Sequence, residues 1–236
     1  MAKFVLVHGA WGGGWYWART ARLLQSAGHE VFTPTLTGLG ERSHLLTRDV
    51  GLETHIEDIL GVLKYEQLSE VVLVGHSYGG MVVSGVADRA TDRIRTLVYL
   101  DAALPENGQA MSDLVPPERF AMFVEGARAR GEGWKIPPMP ADWWGIDNVE
   151  DRTWIDDYCG FHPLKTLTDK IALSGRQKSV RDKVFILASE YNPSPFQQFA
   201  KRTREDPAWT NYEPPTRHFT MVQMPQETAD LLLRHA

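Results

Sequence analysis

Short apolar runs alternate along the chain with stretches whose apolar positions recur at helical spacing. Residues 3–8 form a run that reads as a buried strand stopping at Gly9. Residues 15–26 have helical periodicity and meet Gly28, a common helix end. A second strand is predicted over 30–36. A helix follows over 54–66, where Ile56, Ile59, Leu60 and Leu63 share one face. The run 70–75 is a third strand, 78–89 a helix rich in small residues, and 94–100 a fourth strand. Strands that are apolar throughout and alternate with helices predict a mostly parallel sheet covered by helices on both faces.

The rhythm stops after Asp101. Residues 103–181 hold seven prolines and four tryptophans, and no strand-like run. The pattern resumes with a strand at 183–189, a helix at 195–205, a short strand at 210–213 and a final helix at 226–235. Six strands are thus expected in one sheet. The middle segment, 103–181, is expected as a helical cap inserted into a single domain spanning 1–236, because both flanks supply strands to that sheet.

Composition narrows the class. Of 236 residues, 43% are hydrophobic and 23% charged, which fits a globular enzyme-sized domain and not a disordered or fibrous chain. The net charge is −5, and no run of Lys or Arg could track phosphates, so a nucleic-acid partner is not expected. Cys159 is the only cysteine, which excludes an intrachain disulfide and fits a reducing compartment. Residues 1–7 carry no signal-peptide pattern, and the apolar runs fall far short of the ~20 residues of a membrane span. A soluble, cytoplasmic protein is expected.

Gly75-His76-Ser77-Tyr78-Gly79 follows an apolar strand and precedes a helix, the context of a nucleophile elbow. There the chain turns so sharply that its flanking positions must be glycine, and the serine hydroxyl stands above the strand end. Serine needs a base. Of the eight histidines, His218 lies after the last strand and before the final helix, where the order Ser, acid, His puts it. His76 lies inside the elbow with its side chain away from the pocket, His8 is a strand-end residue, and His235 comes too late. The acid has two candidates at strand ends, Asp101 and Glu190. The oxyanion donors are expected from the Tyr78 amide and from the loop after the first strand, with Ala10 preferred over Trp11. That glycine-rich loop lacks the Lys-Ser/Thr of a phosphate-binding loop, and no metal-ligand spacing occurs, so no metal or other cofactor is expected.

Val7-His8-Gly9-Ala10-Trp11, residues 34–42, residues 75–80 and Tyr99-Leu100-Asp101-Ala102 together resemble the α/β-hydrolase superfamily. The most similar branch holds plant methylesterases, hydroxynitrile lyases and bacterial pyrethroid- and carbamate-cleaving esterases. The resemblance is strong in the sheet and weak in the cap. It implies Ser77 as nucleophile and His218 as base. Plant members place the acid where this chain has Glu190. Other hydrolases use the strand after the elbow, here Asp101, and bacterial relatives sharing Leu-Asp-Ala lack a carboxylate at the later position, which favours Asp101. Plant lyases carry Lys after the catalytic His and Thr in the oxyanion loop, where this chain has Phe219 and Ala10. Without that ammonium, hydrolysis of a small-molecule ester is expected over lyase chemistry. Lyase-like or ligand-sensing use of the same pocket is the alternative. Trp143, Trp144, Trp154 and Phe219 are expected to line a pocket for an apolar or aromatic substrate.

Overall fold

A computed structural model describes residues 1–236. Its main sheet contains β1 (Lys3–Val7), β2 (Glu30–Phe32), β3 (Val71–His76), β4 (Ile94–Leu100), β7 (Asp182–Ile186) and β8 (Trp209–Tyr212) in the order β2-β1-β3-β4-β7-β8. All five pairings are parallel. The central strands β1, β3 and β4 are almost wholly buried, which explains their unbroken apolar runs.

Helices α1 (Ala18–Ser26) and α9 (Pro225–Leu233) pack on each other, as do α2 (Leu52–Tyr65) and α3 (Gly79–Arg89). The α2–α3 contact is close because Gly85 leaves room for the Ile56 side chain. Outside these layers lie α4 (Pro117–Arg130), α5 (Val149–Tyr158), α6 (Lys165–Thr168), α7 (Gln197–Arg204) and α8 (Thr220–Gln223). One hydrophobic cluster runs from the sheet (Leu6, Val74, Leu100) into the segment after β4 (Phe123, Trp144, Ile155). No helix is long and apolar enough to cross a membrane.

Three elements differ from the sequence pattern. The strand expected over 30–36 ends at Phe32. Pro34 has no N–H to extend the ladder, and the next residues bond elsewhere: Gly14 N–H donates to Thr35 Oγ1 (2.8 Å) and Leu36 N–H to His8 Nε2 (3.0 Å). The segment 103–181, expected without strands, contains the antiparallel pair β5 (Lys135–Ile136) and β6 (His162–Pro163). Two residues per strand are too few for any period to register. The strand expected at 183–189 stops at Ile186 because the Ala188 amide turns to the Asp101 side chain.

Candidate active site

β3 runs into Ser77, whose φ of +55° is in the left-handed region that L-residues avoid. The turn forces its neighbours to be glycine. A Cβ on Gly75 would lie 2.6 Å from the Val83 side chain, and one on Gly79 would lie 2.8 Å from the His8 carbonyl. The Ser77 carbonyl is held by the amides of Gly80 and Ala103, both at 3.1 Å. Of the five other non-glycine residues with positive φ, Trp11 (+64°) and Asp101 (+41°) follow the neighbouring strands β1 and β4. Three of the six thus meet at one edge of the sheet, and strained backbone of this kind recurs at functional sites.

His218 reaches this edge from the loop after β8. Its Nε2 lies 3.0 Å from Ser77 Oγ, and its Nδ1 lies 2.6 Å from Asp101 Oδ2. All three side chains are buried. The carboxylate accepts the Nδ1 proton, so Nε2 presents a lone pair to the serine hydroxyl. The Ala188 amide donates to the other carboxylate oxygen at 3.3 Å. His76 turns away from the cavity, and its Nε2–H donates to the His218 carbonyl at 2.9 Å, fixing the backbone of the imidazole-bearing residue. Trp144, Tyr191 and Phe196 lie nearly parallel to the imidazole at 5.0, 4.9 and 5.7 Å between ring centres. Glu190 does not join this group. It is exposed, and its amide donates to the Thr216 carbonyl.

Burial sets the electrostatics. It pushes the His218 imidazole well below its ordinary range, and the Arg119 guanidinium pushes the same way. Burial also raises Asp101, against the Ala188 amide, the Ser194 hydroxyl and Arg119, which favour its charged form. The resting imidazole is neutral, as a proton acceptor must be.

The loop after β1 lies beside the elbow, with Gly9 so close that a Cβ would come 2.9 Å from Ser77 Cβ. No protein group accepts from the amides of Ala10 and Tyr78, and both residues border the same space as Ser77. The Trp11 amide is already taken, donating to His162 Nδ1 at 3.3 Å.

Above Ser77 is an empty space of about 430 Å³, counting its open mouth. Its walls are Ala10, Trp11, Trp144 and Tyr78, with Met111 and Val115, Phe120 and Phe123 from α4, Leu167, and Pro195 and Phe196 before α7. Arg119 is the one charged side chain among them.

The "Alpha/beta hydrolase family" matches residues 4–231 of this sequence. The chain belongs to that family. A carbendazim hydrolyzing esterase from Nocardioides sp. (strain SG-4G) is 45% identical over 239 residues, covering 98% of each chain. An alpha-hydroxynitrile lyase from Arabidopsis thaliana is 34% identical over 113 residues, 48% of this chain and 44% of the relative. Among solved structures, an extracellular α/β-hydrolase from a Paenibacillus species superposes with a TM-score of 0.88 at 24% identity, covering 100% of this chain and 99% of the other. That last likeness is one of fold.

Within this α/β hydrolase, only part of the expected pocket wall faces the cavity. Trp144 does. Phe219 is buried behind the imidazole, between His76 and Tyr16. Trp143 packs beside Trp144 and under the Arg119 guanidinium. Trp154 packs on Trp15 and Arg19 at the outer side. Tryptophan content alone does not distinguish a wall from a buttress. The residues that sequence reasoning missed are Arg119, Phe120 and Phe123, whose i, i+1, i+4 spacing on a proline-started helix does put them on one side. His162 was missed as well, and nothing in its sequence context marks it. No group of three or more His, Cys, Asp or Glu side chains converges as a metal site.

Proposed function

We propose that this protein is a carboxylic ester hydrolase that works through an acyl-enzyme on Ser77. The observation that carries the reading is the continuous chain Ser77 Oγ, His218 Nε2, His218 Nδ1, Asp101 Oδ2 opening into an apolar cavity. His218 takes the hydroxyl proton as Oγ bonds to the ester carbonyl carbon. The amides of Ala10 and Tyr78 hold the oxygen that becomes negative. The imidazolium then gives its proton to the departing alcohol oxygen. Water, deprotonated by the same imidazole, attacks the acyl carbon and releases the acid and free Ser77. Asp101 holds the imidazole in the required tautomer and offsets its positive charge.

The lining supports a small apolar or aromatic substrate, and Arg119 supports one that also carries a hydrogen-bond acceptor. The carbendazim-hydrolysing relative supports the ester class. Hydrolysis is favoured over cyanohydrin cleavage because a buried phenyl group, Phe219, follows His218 where an ammonium would be needed to receive cyanide. A cytoplasmic location rests on the single cysteine.

Turnover of p-nitrophenyl acetate and stoichiometric labelling by a fluorophosphonate test the reading. Wild-type protein should do both, and Ser77→Ala should do neither while keeping its thermal midpoint. Near-wild-type turnover by Ser77→Ala overturns it.

A further inference from the structure

The cap segment grips the loop after β1 around Trp11. The Trp11 amide donates to His162 Nδ1 (3.3 Å), its carbonyl accepts from the Gly160 amide (3.0 Å), and its indole N–H donates to the Ile136 carbonyl (3.3 Å). The preceding carbonyl, Ala10 O, accepts from the Tyr16 hydroxyl (3.3 Å), which also contacts the Cys159 thiol (3.0 Å). The peptide unit joining Ala10 to Trp11 is therefore tied at both ends. Its orientation fixes the backbone on either side, including the left-handed Trp11 and the free Ala10 amide beside Ser77.

The direction of every proton in the His162 arm is determined. The Thr166 hydroxyl donates to the Pro163 carbonyl at 2.7 Å, a group that can only accept. Its oxygen is thus left to accept from His162 Nε2–H, also at 2.7 Å. The Nδ1 lone pair then faces the Trp11 N–H. Only neutral imidazole with its proton on Nε2 satisfies all three bonds. Complete burial, with His55 and His8 nearby, holds His162 well below its ordinary range and so keeps it neutral.

We propose that His162, seated by Thr166, is a positioning residue for ester hydrolysis. It pins the Ala10–Trp11 peptide so that the Ala10 amide points at the developing oxyanion. The inference rests on the esterase reading above. Its consequence is that the cap does more than wall the pocket: it holds part of the catalytic loop from a residue 151 positions away. A donor that binds only the transition-state oxygen affects kcat and leaves substrate binding largely unchanged.

The test uses His162→Ala, His162→Asn and Thr166→Val in the full chain, with p-nitrophenyl acetate as substrate. Asn can place an amide oxygen near the Nδ1 position. His162→Ala should lower kcat by roughly 10²-fold with KM within about threefold of wild type. His162→Asn should recover most of that loss, and Thr166→Val should fall between them. Affinity for a phenylboronic acid, which forms a tetrahedral adduct on Ser77, should drop in parallel with kcat. An unchanged kcat in His162→Ala overturns the proposal, as does a loss carried by KM or an Asn variant no better than Ala. If His162→Ala does not fold, Thr166→Val and His162→Asn decide by the same split. Absence of ester turnover and of serine labelling in wild-type protein is a different result: it removes the esterase reading, and the proposal with it.

Discussion

An Asp101→Asn side chain keeps the shape of the carboxylate but can present an amide N–H to His218 Nδ1. The imidazole would then carry its proton on Nε2 and face Ser77 with a donor. Asp101→Asn should lower kcat for a p-nitrophenyl ester by about 10⁴-fold, whereas Glu190→Gln, at an exposed turn, should stay within twofold. Steady-state kinetics of the two variants check this. Arg119 acts on the same pair from a distance. Its guanidinium opposes protonation of His218 and favours ionised Asp101. Arg119→Met removes that influence, so both groups should hold protons to higher pH. Activity requires neutral imidazole, and the acid limb of kcat/KM should therefore move to higher pH in Arg119→Met. A shift to lower pH, or none, would contradict the sign. The two carboxylates show what sequence could tell here. Both follow apolar strands, and strand ends are visible as runs. The distance from a strand end to a histidine more than a hundred positions away in the case of Asp101 is not. That distance depends on β4 and β7 being neighbours, and on the left-handed backbone at Asp101, which Glu190 does not share.

Among elements, the tightest constraint is the strand–elbow–helix unit of β3 and α3. A methyl group on Gly79 would press on the carbonyls of His8 (2.8 Å) and Val7 (3.0 Å), backbone atoms where β1 runs into the Ala10 loop. Neither can yield without moving the loop. Gly79→Ala should cost about 1–3 kcal/mol of stability, and it should also reduce fluorophosphonate labelling of Ser77. Gly61 is a control within α2. A Cβ there meets nothing within 4 Å, so Gly61→Ala should raise stability by about 0.5–1 kcal/mol and leave labelling unchanged. Denaturant melts with labelling rates separate the two effects. The elbow was legible because its glycines, its apolar strand and its small-residue helix are contiguous in sequence. The β5–β6 pair was not, because two residues per strand leave no periodic trace. The early end of β2 comes from competing partners: the Thr35 hydroxyl accepts from Gly14 and the Leu36 amide donates to His8 in place of a ladder, and only the fold brings those partners near.

Across the whole molecule, five histidines are buried: His8, His55, His76, His162 and His218. Burial lowers the pKa of each, with His8 down to about 3 and His55 to about 4. Each is neutral in the folded chain and takes up a proton once unfolded below about pH 6.5. In that window the unfolded state binds more protons, so stability falls as pH falls, by up to roughly 1.4 kcal/mol per pH unit for each histidine. Asp101 has the opposite sign. Its raised pKa lets the folded state keep a proton that the unfolded state loses, which opposes the histidines. The five histidines outnumber the one carboxyl, so stability falls as pH falls through about 6.5, against a total domain stability of only ~5–15 kcal/mol. The thermal midpoint should therefore be nearly level above pH 7 and decline from about pH 6.5 downward. Unfolding followed by circular dichroism across pH 4–8 measures it, and a midpoint level down to pH 4.5 would refute it. His8→Gln should flatten the slope, since its longer side chain can place an amide oxygen near the Nε2 position and accept from Leu36 N–H without titrating. The same histidines hold the Leu36 amide, the Tyr78 hydroxyl, the His218 carbonyl and the Trp11 amide around the site. Acid should thus disorder the catalytic edge and the global fold together, and loss of fluorophosphonate labelling with pH should follow the melt more closely than the titration of any single residue.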